Sequence, residues 1–185
     1  MSILPIYLYG SEILKKKAKP VAEVSDKLVV QIMYMFETMR QADGIGLAAN
    51  QIGSLDRVIV IDVSEVEEYE DVQPMALINP EVTFRDGEQT GEEGCLSIPD
   101  VRDKVTRPVT IHVRYRDTNF ALREIEANDL LARVILHEID HLNGVLFLDY
   151  LTAAERSVHK EQLDLIRKGE VETSYPVVTT SKAFA

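Results

Sequence analysis

The sequence has no tryptophan and one cysteine, Cys95, in 185 residues. A single cysteine excludes an internal disulfide and points to a reducing compartment, where the thiol is either functional or a small buried hydrophobe. Basic residues are also scarce, at 20 against 31 acidic ones for a net charge of −11, which disfavours a general affinity for nucleic acid or anionic membrane. No apolar run approaches the ~20 residues that a membrane span needs. Met1 to Pro5 do not begin a basic region, apolar core and cleavage site in sequence, so a cytoplasmic location is expected. Repeats and linkers are missing too. What remains is an ordinary globular composition, 45% hydrophobic and 28% charged, in a chain long enough for one domain with a substantial core. Residues 1–169 are read as that domain. Residues 170–185, rich in Thr, Ser and Val without a period, are read as a flexible tail.

The stretch from Val134 to Gly144 contains His137-Glu138-Ile139-Asp140-His141. On a helix, residues four apart lie one turn from each other with Cβ atoms ~5–6 Å apart, so both imidazoles can lean onto one metal at ~2.0–2.1 Å. Glu138 then stands beside the metal without being a ligand, which suits a general base for a metal-bound water. The plainer alternative is a surface helix that carries two histidines. Against it, Leu130, Val134 and His137 continue one apolar stripe, so the first histidine faces inward.

Other elements follow from local chemistry. Ile3 to Tyr7 reads as an extended arm, followed by one helical turn capped by Ser11 and stopped by Pro20. Ser25 caps a helix to about Gln41, with Leu28, Ile32, Met35, Phe36 and Met39 at helical spacing. Asp43-Gly44-Ile45-Gly46-Leu47 is a glycine loop, too weak for a dinucleotide fingerprint because a helix precedes it and the third glycine is absent. Arg57 to Val63 is a buried strand, and the acidic run to Asp71 a solvated connection. Ala76 to Pro80 and Glu81 to Arg85 form a bent strand pair, with a turn at Asp86-Gly87. The segment around Cys95 is an edge or irregular strand, since Pro99 cannot donate to a central ladder. Val109 to Tyr115 and Ala121 to Ala127 alternate as half-buried strands, with His112 on the polar side. The motif helix begins near Asn128 or Asp129 and ends at Gly144. Thr152 opens a capping box for a helix to about Lys168, with Gly169 at its end. The expected class is α+β, with antiparallel sheets around a central metal-binding helix and N- and C-terminal helices outside.

A catalytic metal takes three protein ligands and keeps one open position. His137 and His141 give two; Glu92, Glu93 or Cys95 could give the third. The cysteine is a strong candidate as thiolate. Taken together, Gly44-Ile45-Gly46-Leu47-Ala48-Ala49-Asn50-Gln51, Glu93-Gly94-Cys95-Leu96-Ser97 and His137-Glu138-Ile139-Asp140-His141 resemble the three signature motifs of bacterial peptide deformylase, in order and with similar spacing. One departure is Leu136, where the family motif generally has glutamine.

The resemblance implies removal of the formyl group from N-formylmethionyl nascent peptides, with release of formate. It implies Cys95, His137 and His141 as metal ligands and Glu138 as the group that moves the proton. It also implies the Gln51 side-chain amide and the Leu96 N–H as donors to the developing oxyanion. The main chain at Gly44, Ile45 and Gly46 and the edge at Glu93 and Gly94 would bind the extended peptide. Ile45, Leu130, Val134 and His137 would line an apolar methionine slot, with Arg102 at its mouth. The implied metal is Fe²⁺ in the cell, with Zn²⁺, Ni²⁺ or Co²⁺ as substitutes. Asp140 is expected to pair with Arg107. A monomer is expected, with at most weak, salt-sensitive ribosome contact, no specific nucleic acid and no membrane. The rival readings are an endopeptidase on the same helix, which would not need Cys95, and a binding module that recognises formylated peptides without hydrolysing them.

Overall fold

The computed structural model describes residues 3–179. A five-stranded antiparallel sheet is ordered β2 (Gly46–Ala48), β3 (Val58–Ile61), β4 (Met75–Asp86), β7 (Thr110–Arg116) and β8 (Leu122–Asn128). Strands β5 (Gln89–Cys95) and β6 (Ile98–Arg107) form a separate hairpin. A short parallel pair joins β1 (Ile6–Tyr7) to β9 (Val177–Val178). The helices are α1 (Asp26–Gln41), α2 (Asp129–Leu142), α3 (Ala153–Val158) and α4 (Lys160–Lys168).

Strand β3 explains why its sequence is apolar throughout. Ile59 and Ile61 join the cluster beneath α2, whereas Val58 and Val60 join the cluster beneath α1, so both faces are covered and no polar alternation is needed. A third cluster, with Leu8, Ile98, Phe147, Leu163 and Ile166, lies under α4 and the β5–β6 hairpin. Helix α2 is thereby enclosed: His137, Glu138 and His141 are all buried together with its apolar residues.

The caps behave as their chemistry dictates. Ser25 accepts from the Leu28 N–H at 3.2 Å, Thr152 and Glu155 form a reciprocal capping box, and Gly144 and Gly169 take φ of +76° and +75° after their helices. His112 is exposed, near Glu126 at 3.3 Å.

Four expectations change. Residues 75–86 are one bent strand, not a pair: one register shift, between Ile78 and Glu81, spans Asn79 and Pro80, and Asn79 has φ +53°, so a bulge absorbs the proline that looked like a break. The turn after Ser11 is a 3-10 turn without a side-chain cap. The helix after Thr152 divides at His159, whose Nε2 lies 2.8 Å from Asp103 Oδ2. The segment read as a flexible tail packs over residues 170–179, forming β9 and burying Thr179; the remainder of that expected tail, 180–185, lies outside the described residues.

Candidate active site

Three segments converge on the inner face of α2. At the end of β5 the register shifts between Gly94, opposite Arg102, and Cys95, opposite Ile98, and this irregularity re-aims the Cys95 side chain. Its Sγ lies 3.1 Å from His141 Nε2. The ligand atoms of Cys95, His137 and His141 all lie within 4.8 Å of one another, and both imidazoles are buried. One half-buried thiol and two buried imidazoles, gathered together, fit a divalent metal of borderline softness. Glu138 Oε2 and His141 Nδ1 are buried without a hydrogen-bond partner among the described residues. Unpartnered polar atoms in an interior are costly and mark a place prepared for something else.

Glu93 holds this centre in place. Its carboxylate accepts from Arg107 Nε at 2.6 Å and Nη2 at 2.9 Å, from Arg133 Nη1 at 2.8 Å, and meets His137 Nδ1 at 2.9 Å. With Nδ1 engaged there, Nε2 is the His137 nitrogen left for ligation. Burial alone would raise the Glu93 carboxyl, but the bonds from Arg107 and His137 overcome it and hold the group down at about 2. Arg107 is raised above its ordinary value: burial works to lower it, and Glu93 and Asp140 more than offset that. Asp140 does meet Arg107, at 2.6 Å, and also accepts from the Tyr150 hydroxyl at 2.9 Å. Burial lowers His141 well below the ordinary imidazole value. Burial works to lower His137, but Cys95 and Glu93 carry it well above that value.

Burial pushes Glu138 up to about 7, where a carboxyl can both take and return a proton near neutrality. Its position depends on a missing side chain. A Cβ on Gly46 would lie 2.6 Å from Glu138 Oε1 and 2.9 Å from Val134 Cγ1, so only glycine lets β2 pass this close to the acid. Gln51 is oriented by its own loop: Oε1 accepts from the Ala48 N–H at 2.8 Å, leaving Nε2 to face Ser97 Oγ at 3.2 Å and Cys95 Sγ at 3.6 Å.

Every residue assigned from the sequence to metal, reaction or substrate borders one cavity of about 590 Å³ except His141, which is 1% exposed. Within that cavity the Glu93 side chain is spent on Arg107, Arg133 and His137. It is therefore not free to meet a peptide, and only its main chain is available for that part. Glu92 and Glu93 are outside the ligand cluster, which leaves Cys95 as its third member. Arg102 stands at the rim, 3.6 Å from Glu92, with its side chain 69% exposed. Leu136 is buried in the apolar cluster between α2 and the sheet.

Arg133 was missed. It follows Leu130 by three and precedes His137 by four, so a charge on the inward stripe of an otherwise apolar helix was the available signal. Also missed were Asn50, whose amide donates to the His141 carbonyl, and residues 172–175, which line the cavity from the far end of the chain.

Known proteins share this sequence and fold. The polypeptide deformylase family model matches residues 3–157. A peptide deformylase of Chlorobium phaeobacteroides (strain BS1) is 49% identical over 175 residues, 95% of each chain. One of Salinibacter ruber (strain DSM 13855 / M31) is 47% identical over 186 residues, 96% of this chain and 95% of that one. Among solved structures, a peptide deformylase from Legionella pneumophila superposes with a TM-score of 0.84 at 38% identity, covering 91% of this chain and 98% of its own. A Synechococcus elongatus peptide deformylase in complex with actinonin gives 0.77 at 40% identity, covering 95% and 92%. A half-buried thiol and two buried imidazoles stand beside a buried acid, and the fold and sequence are shared across nearly the whole length: the chain belongs to the polypeptide deformylase family.

Proposed function

We propose that Cys95, His137 and His141 hold the divalent metal of this deformylase and that Glu138 is its proton carrier, in the hydrolysis of the N-formyl group from formylmethionyl peptides. The observation that carries the assignment is the gathering of those three ligand atoms within 4.8 Å beside a buried, unpartnered Glu138 oxygen. When bound, a divalent ion supplies Lewis acidity, lowering the pKa of a water and polarising a carbonyl oxygen. Glu138 takes a proton from the attacking water and returns it to the leaving amine; its raised pKa suits both steps. As the formyl carbon becomes tetrahedral its oxygen gains negative charge, and the Gln51 Nε2–H and the Leu96 N–H are the donors that meet it. Each such donor is worth ~2.7–4 kcal/mol in the transition state.

The peptide enters extended, between β2 and β5. Strand β2 is the outer strand of its sheet and, among the described residues, β5 is paired only with β6; the Gly44 N–H is held by Met39 and the Ile45 carbonyl by Asp62, so the remaining main-chain groups from Gly44 to Gly46 and at Gly94 are those that pair with it. The methionine side chain takes the slot made by Ile45, Leu130, Val134 and the His137 ring. Arg102 stands at the mouth of that slot. By ligand type and family, Fe²⁺ is the metal in the cell and Zn²⁺, Ni²⁺ and Co²⁺ replace it in purified protein. The protein works as a cytoplasmic monomer on nascent chains. Its acidic balance limits any ribosome contact to a weak, salt-sensitive one.

Anaerobically purified protein given formyl-Met-Ala-Ser is expected to release formate, and the Glu138→Ala protein to keep its metal and release almost none. No formate from the parent protein would defeat the reading. Casein cleavage by a Cys95→Ala protein with retained metal would favour the endopeptidase instead.

A further inference from the structure

Residues 170–179 return from the end of α4 to the cavity, where Glu172, Thr173, Ser174 and Tyr175 form part of its lining. The return is anchored at both ends. Thr173 Oγ1 donates to the Tyr175 carbonyl at 2.8 Å, folding the segment into a turn. Beyond it, the Ile6 and Leu8 N–H groups donate to the carbonyls of Pro176 and Val178, each at 2.9 Å. Between these anchors the Tyr175 hydroxyl donates to the Leu96 carbonyl at 2.7 Å. The same N-terminal arm reaches the next residue, because the Tyr9 N–H donates to the Ser97 carbonyl at 2.8 Å. Both carbonyls of the Leu96–Ser97 dipeptide are thus held by groups from the two ends of the chain. The Leu96 side chain is confined as well, with Cδ1 2.7 Å from where a Cβ on Gly44 would stand.

We propose that Tyr175 is a positioning residue for the reaction: its hydroxyl fixes the peptide plane after Leu96 and thereby aims the Leu96 N–H at the developing oxyanion. The inference rests on the assignment of that N–H as a donor. The physical link is short. Peptide units are planar, so only the φ and ψ of Leu96 connect the plane that carries its N–H to the plane that Tyr175 grips. A donor helps only if it is aligned before charge develops, since hydrogen bonds weaken steeply as they bend. A phenylalanine at 175 keeps the ring and its burial while removing the one group that grips the plane.

The test uses full-length, metal-loaded Tyr175→Phe with formyl-Met-Ala-Ser, beside the parent and Glu138→Ala proteins, assayed well below any unfolding transition. The expected result is a kcat lower by about three- to tenfold, as for one hydrogen bond whose effect falls on the transition state, with KM and metal content unchanged and a Tm lower by no more than about 2–4 °C. A lower Tm with the parental kcat would mean that the segment only stabilises the fold, and would overturn the proposal. An equal loss in Tyr175→Phe and Tyr175→Leu with raised KM and unchanged kcat would also overturn it, placing Tyr175 in ground-state binding. Failure of the parent to release formate is a different outcome, striking the assignment of the active site and not the role of Tyr175.

Discussion

Replacing Glu93 by glutamine removes one charge and reverses one hydrogen-bonding atom in the most connected side chain of the site. The carboxylate meets four nitrogen atoms: two of Arg107, one of Arg133 and one of His137. Glutamine keeps a single acceptor oxygen, so one pair of these contacts survives and its NH₂ faces donors in the other pair. Arg107 retains Asp140 at 2.6 Å and Arg133 retains the Val105 carbonyl at 2.8 Å, so neither cation is abandoned. Breaking a buried pair on one side costs about 3–5 kcal/mol, and the surviving partners place this case near the lower end. For a chain of this length each kcal/mol moves the Tm by about 2–4 °C, which predicts a fall of about 6–12 °C. The His137 ring also loses a partner that fixes its orientation, and loss of such a contact lowers metal affinity by about 10–100-fold. Differential scanning calorimetry of loaded protein and competition with a chelator read the two effects separately. A glutamine variant with parental Tm and parental metal affinity would refute the claim that Glu93 organises this centre.

Three further outcomes are expected. Gly46→Ala should retain metal but lose about 100-fold in kcat, because the new Cβ would have to displace Glu138 Oε1 or Val134 from contacts of 2.6 and 2.9 Å, and displacements of about 1 Å in catalytic groups carry penalties of that size; metal analysis beside formate release checks it. Gly144→Ala should cost stability and spare chemistry: φ is +76° and the added methyl collides with the Lys15 carbonyl, for about 1–3 kcal/mol, so urea unfolding should shift while kcat well below the transition stays parental. Asp140→Asn keeps its shape but weakens the grip on Arg107 and Tyr150, and chelator competition should show metal held less tightly; full retention of metal and activity would remove Asp140 from the supporting network.

Much of this architecture was legible because local chemistry and tertiary demand agree. The Met-rich stripe after Ser25 and the apolar stripe through His137 each bury the face their spacing defines. The gathering of Cys95 with His137 and His141 was legible only when three distant motifs were read together, since spacing on α2 points to two candidate ligands and left Cys95 competing with Glu92 and Glu93. Elsewhere the controlling interactions are far apart in sequence. Pro80 looked like a strand break because the bulge that accommodates it depends on pairing with β7. The division between α3 and α4 falls at His159, which finds Asp103 in β6. Strand β6 itself was missed: Ile98, Val101 and Val105 are buried against the third cluster, but Pro99 and the charges between them obscure any alternation. Nothing local to residues 170–178 discloses that Ile6 and Leu8 await them or that Tyr175 reaches Leu96.

The pairing of β1 with β9 also constrains when the molecule becomes whole. Residues 6–7 leave a ribosome early and their partners at 177–178 late, and contacts so distant in sequence close slowly, after loop entropy has been overcome by other structure. A nascent copy of this chain can therefore build α1, the five-stranded sheet and α2 while the place for β9 beside Ile6 and Leu8 stays open to water. The deformylase would thus complete the hydrogen bonding around its own Leu96–Ser97 turn as one of its last folding events.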